Sequence, residues 1–170
     1  MALGGSHSVA IKTDGSLWTW GANASGQLGD GTNSARNSPM QVGQGYIAVA
    51  AGNTHTLGIK VDGSLWAWGN NGSGQLGDGT TNQHNVPVQI GTGFYAVAAG
   101  TSHSVALKTD GSLWSWGANL YGQLGDGNGN DRYAPTLIGS DFTAVAAGAS
   151  HTIALQTDGS LWAWGKNDAG

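Results

Sequence analysis

Four histidines recur at equivalent places in the chain and are the first candidates for chemistry. They are spaced 48 residues apart, at His7, His55, His103 and His151. Imidazole is a common metal ligand, so four of them around one axis could hold an ion. A metal needs its ligand atoms within about 2.0–2.2 Å, and equivalent atoms of separate repeats should lie farther apart than that. We therefore expect each histidine to hydrogen-bond a backbone group of its own repeat, and we predict no metal and no cofactor.

A glycine-rich motif, Gly-Gln-Leu-Gly-Asp-Gly, is the second candidate, at 26–31, 74–79 and 122–127. It lacks the lysine and the strand–loop–helix setting of a phosphate-binding loop. Its aspartates are better explained as caps of tight turns. After the third copy the chain partly resembles the start of a calcium loop, but the closing glutamate is absent. The residues concerned are Asp126, Asn128, Asn130 and Asp131.

Catalytic pairs are not expected from this sequence. Ser6, Ser102 and Ser150 each precede a histidine, but neighbours on a strand point to opposite faces, so they cannot act as nucleophile and base. The chain has no cysteine, which removes thiolate catalysis and cysteine-ligated zinc. A single active site needs its residues only once, so they should differ from the repeat, whereas these polar candidates recur with it. We predict that the protein is not an enzyme.

These candidates must be positioned by a repeated octapeptide, Asp14–Gly21, which returns at 62–69, 110–117 and 158–165. The two tryptophans of each copy are two residues apart and so share one face of a strand. We predict that they lie between neighbouring repeats, where each ring removes about 150–250 Å² from water. These residues are Trp18, Trp20, Trp66, Trp68, Trp114, Trp116, Trp162 and Trp164, all the tryptophans of the chain.

Each repeat contains signals for four short strands. The first is rich in Ala and Gly, at 48–52, 96–100 and 144–148. The second, 7–12, alternates apolar and polar residues, and an Asp-Gly turn joins it to a third at 16–20. A weaker fourth strand, 39–42, begins with a proline, which suits an edge. Four antiparallel strands in a 48-residue repeat predict an all-β fold, a β-propeller of four-stranded antiparallel blades.

Composition limits the partners of the protein. Charged residues are 9% of the chain and the formal net charge is −4, so no basic surface for nucleic acid is expected. No apolar run approaches the ~20 residues that a membrane-spanning helix needs. The first residues show no signal-peptide pattern, and the cellular compartment stays open.

The repeat resembles that of the regulator of chromosome condensation family. The match lies in His-Ser-Val-Ala-Leu-Lys, Asp-Gly-Ser-Leu-Trp-Ser-Trp-Gly and Gly-Gln-Leu-Gly-Asp-Gly, as they stand within 103–127. The resemblance implies a propeller, usually of seven blades, that acts by binding proteins. Members include an exchange factor for a small GTPase, a plant ultraviolet-B photoreceptor and a bacterial β-lactamase inhibitor.

Two of these activities are not expected here. The photoreceptor has a Gly-Trp-Arg-His motif, whereas the matching positions hold neither Trp nor Arg, at 4–7, 52–55, 100–103 and 148–151. The exchange factor acts through insertions, and the strict 48-residue register contains none. An inhibitor-like role stays open.

The repeats divide residues 1–170 into three units, roughly 1–45, 46–93 and 94–141, and a partial fourth at 142–170, about 3.5 in all. Such a half-ring would expose apolar blade faces. We favour a homodimer that closes an eight-bladed ring, because two-fold symmetry requires an even number of blades. A closed four-bladed monomer and a fragment of a longer propeller are the alternatives.

The function predicted from the sequence is a non-catalytic scaffold that self-assembles and binds another protein through its loops. The loops after each glycine-rich motif vary between copies, and Arg and Tyr are favoured anchors of interfaces. The residues expected to line this rim are Arg36, His84, Arg132 and Tyr133. A purely structural or engineered repeat module without a ligand is the alternative.

Overall fold

The computed structural model describes residues 1–168, which form fifteen β-strands and no helix. The strands make four antiparallel sheets, which we number as blades 1 to 4. Blade 1 contains β1 (Ala2–Leu3), β2 (His7–Ile11), β3 (Leu17–Gly21) and β4 (Arg36–Gly43). Blade 2 contains β5 (Tyr46–Ala51), β6 (His55–Lys60), β7 (Leu65–Gly69) and β8 (His84–Gly91). Blade 3 contains β9 (Phe94–Ala99), β10 (His103–Lys108), β11 (Leu113–Gly117) and β12 (Arg132–Gly139). Blade 4 has three strands, β13 (Phe142–Ala147), β14 (His151–Gln156) and β15 (Leu161–Gly165).

The predicted fold class is confirmed: each sheet is a meander in which sequential strands are neighbours. The fourth strand is longer than predicted, because β4 begins at Arg36 rather than at Pro39. A register shift between Thr19 and Gly21 lets the strand continue past the proline, which lies on the outer edge where no partner needs its N–H.

The Asp-Gly hairpin is built by local hydrogen bonds. Asp14 Oδ1 accepts bonds from the backbone N–H of Ser16 at 2.9 Å and from its hydroxyl at 2.6 Å. Gly15 takes a φ of +79°, which favours glycine. The Ser16 hydroxyl also accepts the indole N–H of Trp18 at 2.9 Å. The same three bonds recur in blades 2 and 3. In each of these blades the turn therefore fixes the position of the first tryptophan of the pair.

The two faces of each blade carry different kinds of side chain, aliphatic on one and tryptophan with small residues on the other. On the rear face, towards the next blade, alternate positions of the two middle strands carry aliphatic side chains such as Leu57, Ile59 and Leu65. On the front face, towards the preceding blade, the tryptophans lie opposite small residues, as Trp116 does opposite Ser104. The core therefore consists of three separate layers, each between the rear face of one blade and the front face of the next.

The innermost strands surround a common cleft of about 260 Å³. It is lined by small residues, among them Ala51, Ala99 and Ala147. Small side chains allow the blades to converge there. The turns that follow the innermost strands are hydrogen-bonded from blade to blade. Asn53 N–H donates to Thr101 O at 3.3 Å, and Thr101 N–H donates to Ala149 O at 3.0 Å.

Candidate functional site

The joint between two blades is organised by the second tryptophan of each pair. Trp68 of blade 2 is fully buried and donates its indole N–H to the carbonyl of Gln27 in blade 1 at 3.0 Å. Trp116 and Trp164 donate in the same way to the glutamine carbonyl of the preceding glycine-rich loop, also at 3.0 Å. Gly29 lies under the Trp68 ring, where an added Cβ would come within 2.8 Å of the indole nitrogen. The loop needs glycine there because the ring fills the space of a side chain.

The histidines contribute to the same joints. His7 Nε2 lies 2.9 Å from the hydroxyl of Thr56 on the next blade, and this hydroxyl donates to Gln27 O at 2.8 Å. The equivalent histidine contacts are 3.0 Å from His55 to Ser104 and 3.1 Å from His103 to Thr152. The expectation of a backbone partner within the same repeat was therefore wrong. A hydroxyl 49 positions later, on a different blade, is the partner in every case.

This geometry sets the protonation of the buried histidines. Because the Thr56 hydroxyl donates to a carbonyl, it must accept from an Nε2–H of His7, which leaves Nδ1 unprotonated. Nδ1 of His7, His55 and His103 is buried and has no hydrogen-bond partner. Burial lowers the pKa of His7 and His103 to about 4 and that of His55 to about 3. Each joint therefore contains a neutral imidazole.

The first tryptophan of each pair lies on the front face at the end of the strand next to the Asp-Gly turn. Trp66 and Trp114 are partly buried against the rear face of the preceding blade. A lysine of the same blade covers each ring, with Lys60 Nζ 4.2 Å and Lys108 Nζ 4.6 Å from the ring centroid. Trp162 lacks both an outer strand and this lysine, and it is 53% exposed.

The rim loops are held by a buried asparagine. Asn23 accepts the N–H of Leu28 at 3.0 Å, and its amide donates to Asp30 Oδ1 at 3.1 Å. Leu28 is thereby fixed at the centre of the loop and is fully buried. Burial alone raises the pKa of Asp30, but hydrogen bonds from Thr32, Arg36 and Asn23 outweigh it, so this pKa lies below its usual value. Asn71 and Asn119 hold the other two loops in the same way.

Three of the predicted rim residues bind the loop aspartates of their own blade. Arg36 contacts Asp30 at 2.7 Å, His84 contacts Asp78 at 2.7 Å and Arg132 contacts Asp126 at 2.7 Å. The Asp126 carboxylate thus accepts hydrogen bonds from the protein itself and is not an open ligand for calcium. A basic residue six positions after each aspartate is the sequence signal for this pairing, and it recurs within loops that otherwise vary between copies. Tyr133 packs over Gly74 of blade 2 and stays 47% exposed.

Residues 1–168 contain no cluster of three metal-ligating side chains. Within the same part of the chain, no helix is long and apolar enough to cross a bilayer.

The two ends of the blade series are open, and their exposed faces carry the two kinds of side chain that pack together in the internal joints. At one end, the rear face of blade 4 presents Leu161, which is 70% exposed, together with Leu155 and Ile153. At the other end, Trp18 and Trp20 lie half-buried on the front face of blade 1 with no described blade before them. The described residues thus form an open series of blades, not a closed four-bladed ring.

Known proteins share this architecture. Human WBSCR16 matches with a TM-score of 0.85 and 28% identity, over 97% of this chain and 46% of that one. Yeast RCC1 (Prp20), solved with Kap60, matches with a TM-score of 0.84 and 24% identity, over 98% of this chain and 43% of that one. The human E3 ubiquitin-protein ligase HERC2 is 48% identical over 42 residues, which are 25% of this chain and 1% of HERC2.

This chain therefore spans less than half the length of these solved relatives and a small part of HERC2. Its match to the family is nevertheless complete, because the model of the RCC1-like domain aligns with residues 1–170. Together with the three repeated joints, that match shows that the chain belongs to the RCC1-like domain family.

Proposed function

We propose that residues 1–170 act as one non-catalytic propeller scaffold, and that two copies close an eight-bladed ring. The observation that carries this proposal is the match between the two open ends. Leu161 has the position that Leu65 and Leu113 have in the internal joints, where both are fully buried against the next blade. Trp20 has the position of Trp68 and Trp116, which cover such leucines.

The geometry predicts a head-to-tail contact between copies. The rear face of blade 4 of one copy would pack on the front face of blade 1 of the other, and two-fold symmetry repeats this contact at the second joint. The apolar surface at the open ends, including an indole and several aliphatic side chains, favours such burial because it is otherwise exposed to water. The ring then has four blades from each copy.

Leu161→Asp is expected to abolish self-association without unfolding the chain. Residue 161 is exposed in one copy, so the aspartate stays hydrated there, but in the joint it would have to be buried without a partner. We expect a dissociation constant at least about 100-fold higher, measured by analytical ultracentrifugation. Leu137→Asp is the matched control, because Leu137 is exposed on the outer strand β12 and lies away from both open ends.

A mixing experiment tests the head-to-tail arrangement. Trp20→Glu blocks the opposite end, so each single variant should be monomeric. A mixture of Leu161→Asp and Trp20→Glu retains one intact joint and should form a heterodimer. No association in the mixture, with the unmodified chain still dimeric, would contradict this arrangement.

A second candidate, a segment of a longer propeller, is favoured by the length of the relatives. The chain covers only 46% of WBSCR16 and 43% of yeast RCC1. In that case further blades would cover the open ends, and the isolated chain would stay monomeric at concentrations at which the dimer forms.

We propose further that the rim of the scaffold binds a protein; yeast RCC1, which shares the fold, is bound to Kap60 in its solved complex. Support comes from Tyr133, which packs over Gly74 yet is 47% exposed, and from Arg36 and Arg132, whose side chains are 37% and 40% exposed beside their aspartates. Exchange of residues 128–134 for residues 80–86 should change the affinity for a bound protein. An unchanged affinity would overturn the assignment of this rim.

A further inference from the structure

One of the four repeated histidines, His151, lies at the open end of the blade series, and its ring has no hydrogen-bond partner among residues 1–168. His151 has the position of His7, His55 and His103, but it is exposed because no described blade follows blade 4. Its three equivalents each contact a hydroxyl on the next blade at 2.9–3.1 Å. The hydroxyl positions are Thr56, Ser104 and Thr152, and the remaining member of this series, 48 residues before Thr56, is Ser8.

Ser8 lies on the open front face of blade 1. It pairs across the strands with Trp20, as Thr56 pairs with Trp68. A second copy docked head-to-tail would therefore bring its Ser8 to Nε2 of His151. In such a dimer, the external joint would contain the same histidine–hydroxyl pair as the internal joints.

We infer that pH controls closure of the ring, because His151 must be neutral to enter the joint with a second copy. This inference rests on the proposed dimer. The internal joints show why: there the histidine is enclosed, its Nε2–H donates to the hydroxyl, and its Nδ1 has no acceptor for a second proton. An imidazolium in that position would bury a charge and an unpaired N–H, both of which are costly.

The charged and titratable groups around His151 do not compensate for this cost. Lys166 and Asp168 line the same surface of blade 4 and pair with each other at 2.8 Å. From blade 3, His103 faces His151 and is itself neutral. From the second copy, the group that takes the place facing His151 is His7, by analogy with His103 beside His55. Among residues 1–168, the carboxylate on this surface of blade 4 is that of Asp168, which is already paired with Lys166.

The expected effect follows from linkage. A proton on His151 must be removed as each joint closes, which weakens association by up to about tenfold per joint for each pH unit of acidification. A ring has two such joints. We therefore expect the dissociation constant of the dimer to rise about 100-fold between pH 7.5 and pH 5.5.

The test compares the unmodified chain with His151→Gln, whose neutral amide can still donate to Ser8. Dissociation constants are measured by analytical ultracentrifugation at pH 7.5, 6.5 and 5.5, with circular dichroism recorded at each pH. We expect the 100-fold rise in the unmodified chain and less than about threefold in the variant. The internal histidines are the same in both proteins, so the difference between them isolates His151.

Equal pH dependence in the two proteins would overturn the role of His151 while leaving the dimer intact. Absence of a dimer at every pH would instead overturn the proposed function, so the two failures are distinguishable.

Discussion

Trp116→Ala is expected to lower the free energy of unfolding by about 3–5 kcal/mol, as truncation of large buried aromatics does. The ring is fully buried between blades 2 and 3, among Leu57, Leu65 and Leu76. Its removal leaves a cavity in that layer and also leaves the Gln75 carbonyl without the indole N–H at 3.0 Å. Urea unfolding followed by circular dichroism measures the change.

Trp162→Ala is the matched control for this experiment. It removes the same side chain from an equivalent hairpin, but Trp162 is 53% exposed and has no outer strand beside it. Its loss should cost less than about 1 kcal/mol, as most exposed substitutions do. Equal costs for the two variants would show that the joints are not what holds the blades together.

Acidification from pH 8 to pH 5 is expected to lower the free energy of unfolding by about 6 kcal/mol, through His7, His55 and His103. Burial holds the pKa of these histidines at about 4, 3 and 4 in the folded state, whereas an unfolded histidine has a pKa of about 6.5. Below pH 6.5 the unfolded chain therefore binds protons that the folded chain cannot. Stability is full above pH 6.5 and falls as the pH drops towards 4, by about 2 kcal/mol for each histidine at pH 5.

Urea unfolding at pH 8, 7, 6 and 5 measures this dependence. Hydrogen bonds from Ser16 lower the pKa of the exposed turn aspartate Asp14, and the other turn aspartates are held in the same way. Protonation of these aspartates therefore lowers the free energy of unfolding only at more acidic pH, outside the range in which the histidines are measured. His55→Gln should reduce the slope between pH 6 and pH 5 by about one third, because one of three titrating groups is removed. A free energy that stays constant from pH 8 to pH 5 would show that the histidines are not enclosed in the joints.

Features that depend on neighbouring residues were predictable from the sequence. The Asp14-Gly15 turn, the alternation in β2 and the small residues of the innermost strands each carry a local physical signal. The blade count and the propeller class followed from the 48-residue register, and the family match and the solved relatives confirm the fold.

Contacts between blades were not predictable in the same way. The partner of His7 is 49 residues away, on a strand whose position follows only from the packing of two sheets. The two tryptophans of a hairpin share a face, yet Trp66, next to the Asp-Gly turn, lies under a lysine, while Trp68, nearer the other end of the same strand, is enclosed by the preceding loop. This difference depends on what packs against each end of the strand, which the alternation of a strand does not encode. The Ser or Thr that follows each histidine in the sequence is the signal for the histidine–hydroxyl contact between blades.

The rim shows a similar limit. The sequence predicts Arg36 and Arg132 at the rim because arginine often anchors interfaces, and in the structure both also bind the loop aspartates Asp30 and Asp126. A residue type alone does not distinguish a loop-stabilising cation from a recognition residue. The regular six-residue spacing to the aspartate is the sequence signal for the loop-stabilising contact.

If the two open ends of the chain match each other as the internal blade faces do, two copies should close one ring. Multi-angle light scattering of the unmodified chain at pH 7.5, across a range of concentrations, tests this ring directly. We expect a mass that converges on twice the 17.2 kDa of one chain and rises no further, because closure of the ring leaves no free end. A mass of 17.2 kDa at all concentrations, or one that grows beyond the dimer into an open polymer, would rule out the two-copy ring.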